Sequence, residues 1–242
     1  MNLLSALRPA LPILLGAALM LSVSMGLRQS LGVFMPALTK DLGISVSQFT
    51  LAIAVQNLAW GFLQPFAGAL AVRIGYRPLM MAGAALYVTG MGTLWMAQGL
   101  WGVTFGAGLA IGAAMACNGS AIAMAVASRP VSPALRSTVL GIVSAAGSLG
   151  ALMAAPMGQM LAQAHGWRVG VAGFVVLALI ILPAAWFAGR VDALPVPPSP
   201  AGEKDNARDM AVFALKHPPF AVMTVAYFVC GMQLVFLTTH LP

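Results

Sequence analysis

Gly68-Ala69-Leu70-Ala71-Val72-Arg73-Ile74-Gly75-Tyr76-Arg77-Pro78 is a short stretch bearing glycines and arginines, set between two long apolar segments. Its glycines permit a tight reversal and a close approach of the flanking helices, while arginines beside a bilayer stay on the cytoplasmic side and pin the turn there. Outward from it, runs long enough to cross a hydrocarbon core, about 20 residues each, fall at 10–36, 47–71, 79–98, 102–127, 138–163, 169–188 and 219–239. These predict seven transmembrane helices. Composition agrees: 60% of the 242 residues are hydrophobic and 7% are charged, with a mean hydropathy of +0.93, against roughly 25% charged residues in a soluble domain. The chain reads as an all-α integral membrane protein whose first partner is the lipid bilayer. The first run follows Arg8 but is too long, and too closely followed by further spans, for a secretory signal.

The formal net charge of +7 is placed by topology rather than gathered on a face for nucleic acid. With the N-terminus in the cytoplasm, Arg8, Arg73, Arg77, Arg129, Arg136, Arg190, Lys204, Arg208 and Lys216 fall on the cytoplasmic side, and Lys40 and Arg168 outside. The positive-inside bias selects that orientation. Residues 1–190 are expected as a six-helix bundle and 191–216 as a mobile cytoplasmic linker. That linker has Pro195, Pro197, Pro198 and Pro200 ahead of a mixed-charge run. Residues 217–242 are expected as a seventh helix.

A shift of 91 positions superimposes Pro65, Leu70, Ala71, Gly75 and Arg77 on Pro156, Leu161, Ala162, Gly166 and Arg168, with Tyr76 over Trp167. The two turns fall on opposite sides of the membrane, which predicts a pair of inverted three-helix repeats. Gly102 with Gly106, Gly108 with Gly112, and Ser144 with Ser148 add the four-residue spacing that lets helices pack closely in lipid.

Chemistry must come from the few polar groups inside the spans. Arg28 sits about two thirds of the way along the first predicted helix, where an arginine costs on the order of 2.5–3.5 kcal/mol. None of the five acids lies in a predicted span: Asp41 falls outside, and Asp192, Glu203, Asp205 and Asp209 on the cytoplasmic side. A cavity-facing guanidinium with no counterion of its own suits a carboxylate, because its planar donors can engage both oxygens. The alternative is a side chain that snorkels to the outer interface and anchors the helix. Gln56, Asn57, Gln64, Asn118, Ser144, Ser148 and Gln233 each fit either a cavity wall or an interhelical hydrogen bond. His240 reads as an interface residue, and Cys117 and Cys230 as small buried hydrophobes rather than a disulfide. No nucleophile–base pair, metal-ligand spacing or phosphate loop is present, so neither an enzyme nor a metal or cofactor site is expected.

The opening stretch resembles the loop between the second and third helices of the major facilitator superfamily, matching it at Gly68, Leu70, Ala71, Arg73, Gly75 and Arg77. Val72 stands where that family usually carries aspartate, and Tyr76 where a basic residue is common. A narrower resemblance, to bacterial monocarboxylate and oxalate/formate-type porters, is carried by three segments. These are Gly26–Phe34 with Pro36-Ala37-Leu38 and Asp41-Leu42-Gly43; Gln56-Asn57-Leu58 with Trp60-Gly61 and Gln64-Pro65; and Cys230–Phe236 with Thr239-His240-Leu241-Pro242. It implies a bacterial inner-membrane transporter of a small organic anion, coupled to protons or to exchange, with Arg28, Gln56, Asn57, Asn118 and Gln233 as candidate substrate contacts. Gly68, Arg73, Gly75 and Arg77 would then be a conformational loop. Carriers of this superfamily have twelve helices, so the chain is expected to lack a C-terminal bundle. Multidrug or other metabolite efflux and a non-transporting membrane scaffold are the alternative functions. Efflux ranks lower because the fourth helix lacks the membrane arginine, and the fifth the Gly-Pro-x-x-Gly-Gly run, of drug/proton antiporters. Cysteines introduced beside Arg77, Arg136 or Ser199 should react with an impermeant thiol reagent only from the cytoplasmic side, and beside Gly99 or His165 only from outside. Reversed labelling would overturn the orientation.

Overall fold

The computed structural model describes residues 8–195 and 216–240, with 234–240 as backbone path alone. Residues 1–195 and 196–242 form two compact units, taken separately below. In the first unit the helices are α1 (Leu11–Leu42), α2 (Val46–Ile74), α4 (Leu100–Ser128), α5 (Pro133–His165) and α6 (Trp167–Ala193), all long and apolar enough to cross a membrane by length and composition. Between α2 and α4 lies α3 (Tyr76–Trp95), a shorter helix of 20 residues. In the second unit α7 spans Pro218–His240. Helices α2, α4, α5, α6 and α7 overrun the predicted spans at both ends, whereas α3 starts three residues earlier than predicted and stops at Trp95, three residues short of its predicted end.

Local chemistry sets the interruptions. In α1 the regular helix stops at Gln29 and a 3-10 turn, Leu31–Phe34, leads into a last segment, Met35–Leu42. Pro36 has no N–H to return to the carbonyl four residues earlier, which favours the tighter turn just before it. The start of α2 is fixed by a reciprocal cap: the Gln48 N–H donates to Ser45 Oγ at 3.2 Å, and the Ser45 N–H donates to Gln48 Oε1 at 2.8 Å. In α4 the segment Thr104–Ala110 is π-helical, and the helix breaks at Gly119, whose extended ψ of −174° starts a new helix at Ser120.

The predicted repeat is visible in the backbone. Gly75 ends α2 at φ 93°, ψ 162°, and Gly166 ends α5 at φ 86°, ψ 163°. Their N–H groups donate to Ala71 and Ala162 at 3.0 and 2.9 Å. A side chain is strained in that conformation, so glycine is required at both turns. Pro65 and Pro156 lie inside α2 and α5 at matching positions.

In the first unit α1 packs on α5 and on the second half of α6, α2 on α4, and α3 on both α4 and α6. Up to Gln29, α1 is not a close neighbour of α2. Several contacts are backbone to backbone. A Cβ on Gly106 would lie 2.7 Å from the Gly90 carbonyl oxygen and the Leu94 nitrogen, and one on Gly26 would lie 2.6 Å from the Gly150 carbonyl oxygen. Phe34 meets Phe174 edge to face with centroids 5.0 Å apart, and the fully buried Tyr87 hydroxyl donates to the Ser24 carbonyl at 2.8 Å. Large apolar side chains such as Leu15, Trp101 and Val176 are exposed, as a lipid-facing surface requires.

Some expectations are corrected. Val191 is fully buried and Asp192 bonds to the start of α3, so 191–195 close the bundle instead of opening the linker. The remainder of the expected linker, 196–215, lies outside the described residues. Cys117 is only partly buried and Cys230 is exposed, so the thiol in α7 is not a buried hydrophobe within its unit. Gly68 meets nothing within 4 Å and serves no close approach in this unit.

Gly106→Val should therefore destabilise the purified protein by about 1–3 kcal/mol through overpacking. Gly92→Val, where a Cβ would meet nothing within 4 Å, should leave the melting temperature in detergent nearly unchanged. Equal shifts for the two would refute the backbone-contact account of α3–α4 packing.

Candidate functional site

The polar residues of the first unit divide into two groups. Gln56 is 1% exposed and its Nε2 donates to the Ala107 carbonyl within the π-helical stretch of α4. Asn118 is fully buried, and its amide bridges α4 to α3 by donating to the Met80 and Cys117 carbonyls at 3.0 and 3.1 Å and accepting from the Ala84 N–H at 2.9 Å. Both side chains act as interhelical ties, each reaching a main-chain partner on an adjoining helix. Ser144 and Ser148 lie exposed on α5. Gln233 is exposed on α7, in the other unit.

Arg28 and Asn57 are brought together. Arg28, in the last turn of the regular part of α1, has its positive charge beside that segment's carbonyl end, a favourable place for a cation. Its Nη2 donates to Asn57 Oδ1 on α2, and Asn57 Nδ2 is in turn held by the Ile53 carbonyl at 2.9 Å. The guanidinium lies over the Trp60 ring, 4.7 Å from its centroid. Asn57 and Trp60 are three residues apart, so they share one face of α2. The partners of Arg28 are thus neutral, an amide and an indole, and its Nε is buried without an acceptor among the described residues. Its positive charge is not cancelled locally. The three side chains bridge the space between α1 and α2, whose backbones stay apart. A separate apolar groove of about 390 Å³, lined by residues including Leu11, Leu15, Leu19, Pro183 and Phe187, ends nine residues before Arg28 and offers no polar contact for an anion.

Residues 15–242 match the family model described as Major Facilitator Superfamily. The chain belongs to the major facilitator superfamily. It is also 29% identical over 195 residues to the sialic acid transporter NanX of Escherichia coli (strain K12), a match covering 78% of this chain and 45% of that protein. The chain therefore spans about half the length of the curated relative it matches. Family and helices together make this a multi-pass membrane protein of a transporter family, not an enzyme.

The superfamily loop is held by residues that its sequence pattern does not contain. The Tyr76 and Arg77 N–H groups donate to Asp192 Oδ1 and Oδ2 at 2.9 and 2.7 Å, so a carboxylate from the end of α6 caps the start of α3. The Arg77 guanidinium stacks on Trp186 at 4.6 Å, and Arg129 reaches both the Tyr76 ring at 5.8 Å and the Leu194 carbonyl at 3.2 Å. Arg73 and Val72 point outward, Val72 at 83% exposure. The inverted copy is clasped in a related way. Arg168 donates to the Trp95 and Ala97 carbonyls at the end of α3, at 3.0 and 3.1 Å. It also pairs with Asp41 at 3.4 Å, which accepts from Trp167 Nε1 at 3.0 Å. Each turn is thus gripped by the end of the third helix of the opposite repeat.

Two residues of these clusters, Trp60 and Asp192, are not marked as candidates by the polarity of the predicted spans. The i, i+3 spacing of Asn57 and Trp60 could have flagged the first; nothing local flags the second, whose partner is 116 residues away. Asp192→Ala should destabilise the protein by about 1 kcal/mol, the usual cost of a lost helix cap, read as a lower thermal melting temperature. Equal stability of the Asp192 variant and the parent would show that the cap contributes nothing.

Proposed function

We propose that this chain is the N-terminal half of a secondary transporter of a small organic anion of the monocarboxylate type, working by alternating access with proton coupling or exchange. On this reading residues 1–190, with the close of α6, form one six-helix bundle, and α7 begins a second, as alternating access in this superfamily requires two such bundles. The setting is the bacterial inner membrane, with the N-terminus in the cytoplasm.

The observation that carries the reading is Arg28: a guanidinium whose partners among the described residues are neutral, oriented by Asn57 and Trp60, with one donor unused. A carboxylate supplies both the charge and the acceptors that the described residues leave unsupplied around Arg28. Arg28 and Asn57 are its substrate contacts in the first unit. Gln56 and Asn118 support the site by tying α2 and α3 to α4. The relative's name concerns sialic acid, itself a carboxylate-bearing compound. The large apolar side chains that α2 and α5 leave exposed, among them Leu58, Phe66, Leu152 and Met160, are consistent with a face that a second bundle covers.

In the carrier with both bundles, Arg28→Gln should abolish anion uptake while insertion and yield hold or improve, since an expensive membrane charge is removed. Arg28→Lys keeps the charge but loses the planar fork, and should weaken uptake without removing the preference for anions. Uptake of a small monocarboxylate by Arg28→Gln at the parent's rate would make Arg28 an interface anchor and remove the basis of the anion assignment.

A further inference from the structure

The apolar groove between the start of α1 and the end of α6 follows from the spacing of its residues. Gly16 brings the two backbones together at its floor, for a Cβ there would lie 2.6 Å from the Ala184 carbonyl oxygen and from the Ala188 nitrogen. Leu11, Leu15 and Leu19 recur every four residues and line the groove from α1, while Pro183 and Phe187, also four apart, line it from α6. Touching backbones flanked by two rows of larger side chains leave a furrow, about 12 Å long from Leu11 to Leu19 at the rise of a helix. The three leucines and Phe187 are exposed, so the furrow opens to the surroundings of the bundle.

Charge stands at one end of it. Arg190 follows Phe187 by three residues, and its guanidinium lies over that ring, 5.0 Å from the centroid. Arg8 is one turn ahead of Leu11, and its carbonyl accepts from the Leu11 N–H at 3.4 Å. Both arginines are exposed, and neither makes an ion pair among the described residues. Asp192, the acid nearest Arg190 in sequence, has both oxygens engaged by the Tyr76 and Arg77 N–H groups. An apolar furrow that ends in unpaired cations where the helices leave the hydrocarbon is complementary to a lipid with a negative headgroup. We propose that the groove binds one acyl chain of an anionic phospholipid, whose phosphate is met by Arg190 at the mouth while Arg8 adds positive charge at the same end. A second copy of this chain fits less well, since Asp41 and Asp192, the acids among the described residues, are both already engaged.

The test is native mass spectrometry of the purified protein released from detergent micelles that hold equal amounts of dioleoyl phosphatidylglycerol and dioleoyl phosphatidylcholine, which share their acyl chains and differ in headgroup charge. The parent should retain phosphatidylglycerol over phosphatidylcholine about tenfold, the scale of two arginines facing an anionic lipid. Arg8→Gln combined with Arg190→Gln should bring phosphatidylglycerol down to the phosphatidylcholine level, whereas Arg136→Gln, in the first turn of α5, should leave the preference in place. Leu15→Trp, which enlarges the groove wall, should lower retention of both lipids. Equal retention of the two lipids by the parent, a measurement that needs no variant, would overturn the proposal. So would a preference that survives in the double variant or is lost as readily in Arg136→Gln, and so would retention unchanged by Leu15→Trp. Release of the parent as a lipid-free dimer would give the groove to a second copy and likewise overturn it.

Discussion

Backbone-to-backbone contact between helices is the constraint on which this bundle depends. Lipid tails are as apolar as the side chains, so burying leucine between helices gains little, and cohesion has to come from dense packing and internal hydrogen bonds. Gly26 against Gly150 and Gly90 against Gly106 bring α1 to α5 and α3 to α4 at distances that no Cβ could share. The large apolar side chains are thereby released to the outside. A core rich in alanine and glycine, with large leucine and phenylalanine side chains also spread over the outside, differs from that of a soluble domain and follows from the solvent.

The same constraint sorts the polar side chains. Where helices touch, a polar group must be satisfied by the neighbour, and Gln56 and Asn118 are: each reaches a main-chain partner on the adjoining helix. Where helices do not touch, between α1 and α2, the polar groups Arg28, Asn57 and Trp60 meet one another with donors to spare. The surplus hydrogen-bonding capacity of this cluster thus lies at a seam where backbones stand apart, which suits a ligand of opposite character.

Symmetry gives the two ends of the bundle related architecture with different chemistry. Gly75 and Gly166 adopt nearly the same positive-φ conformation, yet the turn after the first receives a carboxylate on its main-chain N–H groups, whereas the turn after the second sends an arginine to main-chain carbonyls. Reciprocal clasping ties the two repeats to each other more firmly than either is tied to itself. The bundle can then behave as one body, which a rocking mechanism requires.

The sequence by itself determined the membrane class, the helix order, the family and the pair of glycine turns. Hydropathy over about 20 residues and the φ of a glycine turn are local properties, readable without knowing what lies opposite. It also singled out Arg28, because an arginine in an acid-free span is anomalous whatever surrounds it. Only the tertiary structure separated Asn57, which meets Arg28, from Gln56 one residue earlier, which faces α4 and is spent there. Only it drew Asp192 out of an apparent linker to cap α3. A side chain's direction around a helix and the identity of its distant neighbour are set by packing, and packing between small residues leaves little trace in a sequence where nearly every position is apolar.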